Sequence, residues 1–390
     1  MTDSGGPVLD LTEGRFSRFE SIAWWEQARL ARARVLVVGV GALGNEVVKN
    51  LAMLGIGHLA LIDMDRVEES NLSRSVLFRA RDEGQPKVAC AARAAADIYP
   101  AIKTRAIQGN ALADAGLGLF RWADVVVGAL DNREARVFVN SACARVGRPW
   151  IDGGIDVLQG IVRAFAPPRT ACYECTMSRV DWDQIHKRRS CSLLARRAAA
   201  AGRTPTTPTM ASIIGAIQAQ EVVKILHGMD EFLGRGYLFE GRAHSSAPIG
   251  YPISPDCPWH EPASPIRAEP ELDRDTPLTR VWAAGVQALG PLDALDLSRD
   301  LVERMECPGC ARTRDVFKPV EHVAHSALLC DVCEIEQAPR FFHSLPSGSP
   351  LLERSARELG LPAWDIVWAR RGADVVGIEL SGDEPTVGAV

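Results

Sequence analysis

The chain has 390 residues, of which 47% are apolar and 24% charged, enough for two or three folding units with sizeable cores. Its net charge of −5 offers no basic surplus for nucleic acid, and no apolar run reaches membrane-spanning length, so neither kind of partner is expected. The N-terminus lacks a signal-peptide pattern, which predicts a cytoplasmic protein; of ten cysteines, six fall in C-x2-C pairs, which a reducing compartment would use for metal before disulfides.

Residues 1–14 are rich in Gly, Asp and Thr and read as a flexible N-terminus. A helical stretch carrying Arg15, Arg18, Trp24 and Trp25 follows. Apolar runs at 34–40, 58–63 and 124–128 predict buried strands, and stretches at 45–54, 87–98 and 133–146 have helical periodicity. This alternation predicts an α/β fold, a Rossmann-like doubly wound, mostly parallel sheet. Segments 149–152, 160–165 and 236–240 read as further strands, and 211–227 as a strong helix. A stretch dense in Pro and acidic residues over 261–277 reads as a linker. Beyond it, 278–390 predicts a smaller α+β unit. It has a helix at 279–289, a paired-cysteine ribbon over 303–336, a helix near 351–359, and a terminal hairpin turning at 371–373.

Gly39, Gly41 and Gly44 follow a strand and open a helix, where backbone N–H groups and the helix N-terminus favour phosphate. Asp63 ends the next strand, in position for ribose hydroxyls. This much fits a nicotinamide-dependent oxidoreductase equally well. The continuation does not, because hydride transfer has no use for Asn71 and Arg74 after Asp63 and Asp65. An enzyme that splits the bond between the first two phosphates of ATP needs fixed cations, and Arg74, Lys87 and an N-terminal arginine could supply them. Asp131, just beyond a strand end, is placed to hold Mg²⁺. The plainer readings are solvated surface charges for Arg74 and Lys87, and a helix cap for Asp131.

These pieces together, Arg15 to Arg18, Gly-x-Gly-x-x-Gly, Asp63 with Asp65, Asn71 with Arg74, Gln85 to Lys87, and Ala129 to Asn132, resemble the E1/MoeB/ThiF superfamily in order and approximate spacing over residues 15–260. One departure is Ala42, where the family often has a third glycine. The resemblance implies an adenylation domain over 15–260 that uses ATP and Mg²⁺. It implies Asp63 on the ribose, Asn71, Arg74 and Lys87 on the phosphates, with Asp65 in the same nucleotide-binding set, and Asp131 on the metal. It implies a homodimer in which Arg18 reaches the partner's ATP. The implied substrate is the C-terminal carboxylate of a ubiquitin-like protein, with an E2-like protein as the later acceptor.

Cys191 lies outside every C-x2-C pair and follows His186, Lys187, Arg188 and Arg189, a flank that favours a thiolate nucleophile. It resembles the family's thioester cysteine, in a short catalytic-cysteine segment at 176–210; the alternative is an incidental thiol. The family's structural zinc site implies two ligand pairs. Cys172 and Cys175 match the first, and Cys257 with His260 offers C-x2-H for the second, an acceptable zinc set. Cys307, Cys310, Cys330 and Cys333 form C-x2-C-x19-C-x2-C, which predicts a second, closed structural Zn²⁺ site. The composition and compact cysteine segment resemble E1-like proteins of bacterial ubiquitin-like conjugation operons, some tied to antiviral defence. The rivals are an activator of sulfur-carrier proteins, a catalytically silent scaffold within a heterodimer and, more remotely, the oxidoreductase.

Overall fold

The computed structural model describes residues 14–190 and 205–388, and of 186–190 the backbone alone. Cys191 therefore lies outside the described residues, as do the side chains of His186, Lys187, Arg188 and Arg189. The helices are α1 (Ser17–Glu20), α2 (Gln27–Arg32), α3 (Ala42–Leu54), α4 (Lys87–Ile98), α5 (Ala111–Asp114), α6 (Leu117–Trp122), α7 (Arg133–Val146), α8 (Arg179–Ser190), α9 (Pro208–Leu226) and α10 (Leu278–Leu289). None of the described helices is long and apolar enough to cross a membrane.

The first sheet has the strand order β3-β2-β1-β4-β5-β6-β7-β8. Its parallel part is β1 (Arg34–Val38), β2 (His58–Asp63), β3 (Lys103–Gln108), β4 (Val125–Gly128) and β5 (Trp150–Ile155). The strands β6 (Gln159–Phe165), β7 (Arg235–Glu240) and β8 (Ser245–Gly250) extend it antiparallel. The central runs of Val, Leu and Ile are buried on both faces, as parallel strands between helical layers must be. One face packs on α3, α4 and α9, and the other on α6 and α7. The helix expected from 211 starts earlier, at Pro208, because Thr207 caps it and a proline suits a first turn.

The second sheet runs β11-β10-β13-β14-β9, with β12 also on β10. These are β9 (Ile266–Ala268), β10 (Ala294–Glu306), β11 (Thr313–Lys318), β12 (Ala338–Pro346), β13 (Ile366–Arg371) and β14 (Asp374–Glu379). Strand β9 lies inside the stretch that reads as linker, and its pairing with β14 binds that stretch to the second sheet. The helix expected near 351–359 is instead a 3₁₀ turn, Pro350–Glu353. The chain leaves it because the Arg354 carbonyl accepts from Leu278 N and Ser355 bridges to Pro277, which pulls this backbone into a tertiary contact.

The two units share a core. Trp364, Ile366 and Trp368 belong to the same buried cluster as Val38, Phe120 and Trp150. Trp364 is the peg, held at φ 56, a costly conformation for a bulky residue. Its ring fills the space where Gly118 lacks a side chain, and its carbonyl accepts from Gly118 N at 2.9 Å. Its own N–H donates to Asp383 and its indole N–H to Glu379. Around it, Asp365 accepts from Leu117 N at 2.9 Å, Arg299 donates to the carbonyls of Leu112 and Ala115, and Arg121 pairs with Glu379. The chain then runs along β3. Arg105 donates to the carbonyls of Glu384 and Val387, and Ala106 N donates to Gly388 O at 3.1 Å.

Candidate nucleotide crevice and metal centres

The strand order reverses direction at β1, whose neighbours are β2 and β4. A crevice therefore opens at the carboxyl ends of β1 and β4, the usual ligand position in such sheets. Gly39, at φ 92, turns the chain there, and a Cβ on it would sit 2.4 Å from Ala129 O. A Cβ on Gly44 would sit 2.1 Å from Gly39 O. These two glycines are required by packing. Gly41 differs: it caps α3, and a Cβ there would meet no protein atom within 4 Å. The space above the helix N-terminus is open, as an approaching phosphate requires.

The Asp63 carboxylate accepts from Val40 N at 2.6 Å and Asp65 N at 2.8 Å, so it ties the glycine loop to the end of β2. Burial pushes its carboxyl above the usual range, against the pull of Lys87 and these two bonds. Lys87 opens α4 and is buried; its Nζ lies 2.7 Å from Asp65. Asn71 is buried and accepts from Glu68 N at 3.1 Å, while Arg74 donates to Ser70 O at 2.6 Å. Asp131 is exposed after β4, where its carboxylate accepts from Asn132. The helix cap is Asn132, which accepts from Ala135 N, so Asp131 is not needed for capping. Its exposed, acceptor-only oxygens suit a hard divalent cation, and this residue would hold Mg²⁺.

Arg18 is not part of this chain's own crevice. Arg15 donates to Ile98 O at the far end of α4, and Phe16 packs on Gly55, just past the far end of α3. Both helices open at the crevice with their other ends. The 12 residues of α4 span about 18 Å, so α1 and its exposed Arg18 sit at the opposite end of the layer.

Sequence reasoning missed three positioning residues. Asn45 is fully buried; it donates to Val40 O and Gly41 O and accepts from Leu77 N, which joins the glycine loop to the segment after Arg74. Arg136 donates to Leu130 O, just before Asp131, and to Gly153 O and Asp152. Asp152, fully buried, also receives Arg163. Burial opposes its ionisation, but the two guanidiniums outweigh burial and hold its carboxyl below the usual range. An Asn in the first turn after a glycine loop was the available signal for Asn45 only.

Two clusters could hold a metal ion. Cys172, Cys175, Cys257 and His260 bring their ligand atoms within 4.8 Å of one another, and so do Cys307, Cys310, Cys330 and Cys333. A tetrahedral zinc with bonds of about 2.3 Å requires sulfurs roughly 3.8 Å apart. The separations run from near this value to somewhat below it: Cys172 to Cys175 is 3.8 Å, Cys310 to Cys330 is 3.6 Å, Cys172 to Cys257 is 3.5 Å, and Cys307 to Cys333 is 3.3 Å. His260 offers Nε2, 3.1 Å from the Cys175 sulfur, while its Nδ1 faces Pro168 O at 3.5 Å. Burial pushes the thiols of Cys172 and Cys257 up. In the ribbon, the backbone N–H of Cys310 leads the contacts that draw Cys307 down to about 6. Its two knuckles are near-copies. Ala311 N donates to Cys307 O and Glu334 N to Cys330 O, and both residues have positive φ. Four protein ligands in each cluster leave no open position, so zinc would be structural at both.

Residues 15–248 match the ThiF family. The sulfur carrier protein adenylyltransferase of Thermus thermophilus is 32% identical over 60% of this chain and 83% of its own length. The SAMP-activating enzyme E1 of Haloferax volcanii is 30% identical over 64% of this chain and 90% of its own. Among solved structures, Escherichia coli MccB with AMPCPP and MccA superposes with a TM-score of 0.52 at 25% identity, over 63% of this chain and 74% of MccB. An open glycine loop at a sheet's switch point, flanked by this set of charges, agrees with these matches: the chain belongs to the ThiF family of the E1/MoeB/ThiF superfamily, and it is of the adenylyltransferase class.

Proposed function

We propose that the protein adenylates the C-terminal carboxylate of a ubiquitin-like protein and then takes the acyl group onto Cys191. The observation that carries the first step is the open ground above Gly41, with Asp63, Lys87, Arg74, Asn71 and Asp131 gathered at the same sheet edge. A carboxylate oxygen attacks the first phosphorus of ATP, and the bond to the bridging oxygen breaks. Pyrophosphate leaves with the electron pair. Fixed donors from Lys87 and Arg74 stabilise the charge that builds there, and Mg²⁺ held by Asp131 would supply further neutralisation. In the second step the Cys191 thiolate attacks the acyl carbon and AMP departs, leaving a thioester for an E2-like acceptor. The place of α1 at the far end of its own layer supports a homodimer in which Arg18 serves the partner's crevice.

The test is intact mass after incubation with ATP and a candidate ubiquitin-like protein. Wild type should show a covalent adduct that thiol reductant removes. Cys191→Ala should lose the adduct and keep ATP–pyrophosphate exchange. A second reading, adenylation of a sulfur carrier, is favoured by the activity named for the Thermus relative. It predicts exchange with no adduct on Cys191, and a thiocarboxylate on the carrier once a sulfur donor is added.

A further inference from the structure

Between the two units, away from the crevice, lies a cavity of about 560 Å³, a volume typical of small-ligand sites. It opens at the C-terminal end of α7. The 14 residues of that helix place it roughly 20 Å from Asp131, which precedes the other end. Its walls come from α7, from the turn that carries Cys257 and His260, and from the second sheet. Ligand sites favour such junctions.

Two arginines and two carboxylates line this cavity, but they are not all paired with one another. Asp296 on the second sheet is closed off: Arg370 donates to both of its oxygens, at 2.6 and 3.3 Å, and Ser344 adds a third bond at 2.6 Å. His343 pairs outward with Asp300, and Glu261 stands exposed at the rim. Arg145 has no such partner. It is largely buried, and no described carboxylate lies within ion-pair distance of it; Asp365, Asp296 and Asp300 attract it only from farther off. Trp259 takes one face of its guanidinium, with the carbon 5.8 Å from the ring centroid. A cation–π contact uses none of the guanidinium's hydrogen-bonding capacity and leaves its N–H groups for an oxyanion. Trp368 lines the same wall; its Nε1 is buried without a hydrogen-bond partner among the described residues and is out of a ligand's reach. A buried unpaired donor is costly, and a charged one more so.

We infer that this cavity binds a small organic anion, a planar ring that lies along the tryptophan wall and carries a carboxylate or phosphate onto Arg145. The anion gives the Arg145 guanidinium the direct partner that no described carboxylate supplies, and the ring covers apolar surface that would otherwise face water. The site is independent of adenylation, because none of its walls belongs to the crevice.

Titration calorimetry on the full-length protein, with benzoate and phenyl phosphate as probes, tests this and shows which oxyanion is taken. At least one probe should bind saturably with one site per chain. Arg145→Gln should weaken that binding by about tenfold or more, the loss of a charge-assisted bidentate contact, while ATP–pyrophosphate exchange is unchanged. Ala263→Trp, at the exposed rim, should block entry without touching the core and serves if the Arg145 variant does not fold. The inference is overturned if neither probe binds saturably at millimolar concentration, or if the variants bind as wild type does.

Discussion

The crevice and the seam between the two units are both dense in charge, but they use it in opposite ways. At the seam, Arg299, Asp365, Arg121 and Glu379 close on backbone groups or on each other, mostly out of water. At the crevice, Asp131 is exposed and Arg74 spends its one hydrogen bond on a carbonyl. Lys87, paired with Asp65, is the exception at the crevice and must exchange that partner for phosphate; elsewhere closed charges hold structure, and charges left with unused valence are available to a ligand. Stability and activity should therefore separate cleanly between the two regions.

The largest effect should come from the seam's peg. Trp364→Ala removes a fully buried ring and the indole hydrogen bond to Glu379, and should cost about 3–5 kcal/mol, read from the shift in urea midpoint at unchanged slope. A smaller loss would mean that the units are held mainly by the arginines around it.

Asp152 lies beneath the crevice yet is closed like a seam residue, so it sharpens the comparison. Asp152→Asn leaves Arg136 and Arg163 short of a counter-charge and should cost about 3 kcal/mol at neutral pH. Its folded carboxyl titrates below the ordinary value, so the stability it lends is present above roughly pH 4 and is lost as pH falls through the folded value. The variant's acid unfolding curve should be flatter there than that of wild type. An unchanged acid limb would remove Asp152 from the structural class.

Asp131→Asn should do the reverse. Its exposed carboxylate supports no fold contact beyond Asn132, so thermal unfolding should stay within about 0.5 kcal/mol of wild type. Pyrophosphate exchange should fall by about a hundredfold, the scale set by loss of one electrostatic catalytic group. A loss of stability with exchange intact would invert the comparison.

The central sheet was legible because its strands are continuous Val, Leu and Ile runs between helical periods. Strand β10 was not: Asp296, Ser298 and Asp300 interrupt its apolar residues, and register shifts bend it so that it pairs with different neighbours at its two ends. Strand β3 was passed over too, since its half-exposed residues form no apolar run. Of the candidate site, the glycine loop and Asp63 carry local spacing that marks a nucleotide, and the Cys307–Cys333 cluster carries spacing that marks a metal. Cys257 with His260 could be matched to a pair 85 residues earlier because the family resemblance implies a second ligand pair there and the C-x2-H spacing suits zinc. Arg136 and Asp152 have no such mark, and Asn45 has only its place after the glycine loop. Their roles depend on partners brought close by folding, and a lone polar residue in a helix or strand reads as surface until its burial is known.

The last turn of the described chain, lying along β3, has a consequence for handling the protein. That strand ends the first sheet, and a bare edge invites pairing with another molecule. Arg105 and Ala106 spend their donors on residues 384–388 instead. Removing those few residues would uncover a ready template for intermolecular strands, and the preparation should then aggregate in proportion to its concentration while its individual molecules remain folded.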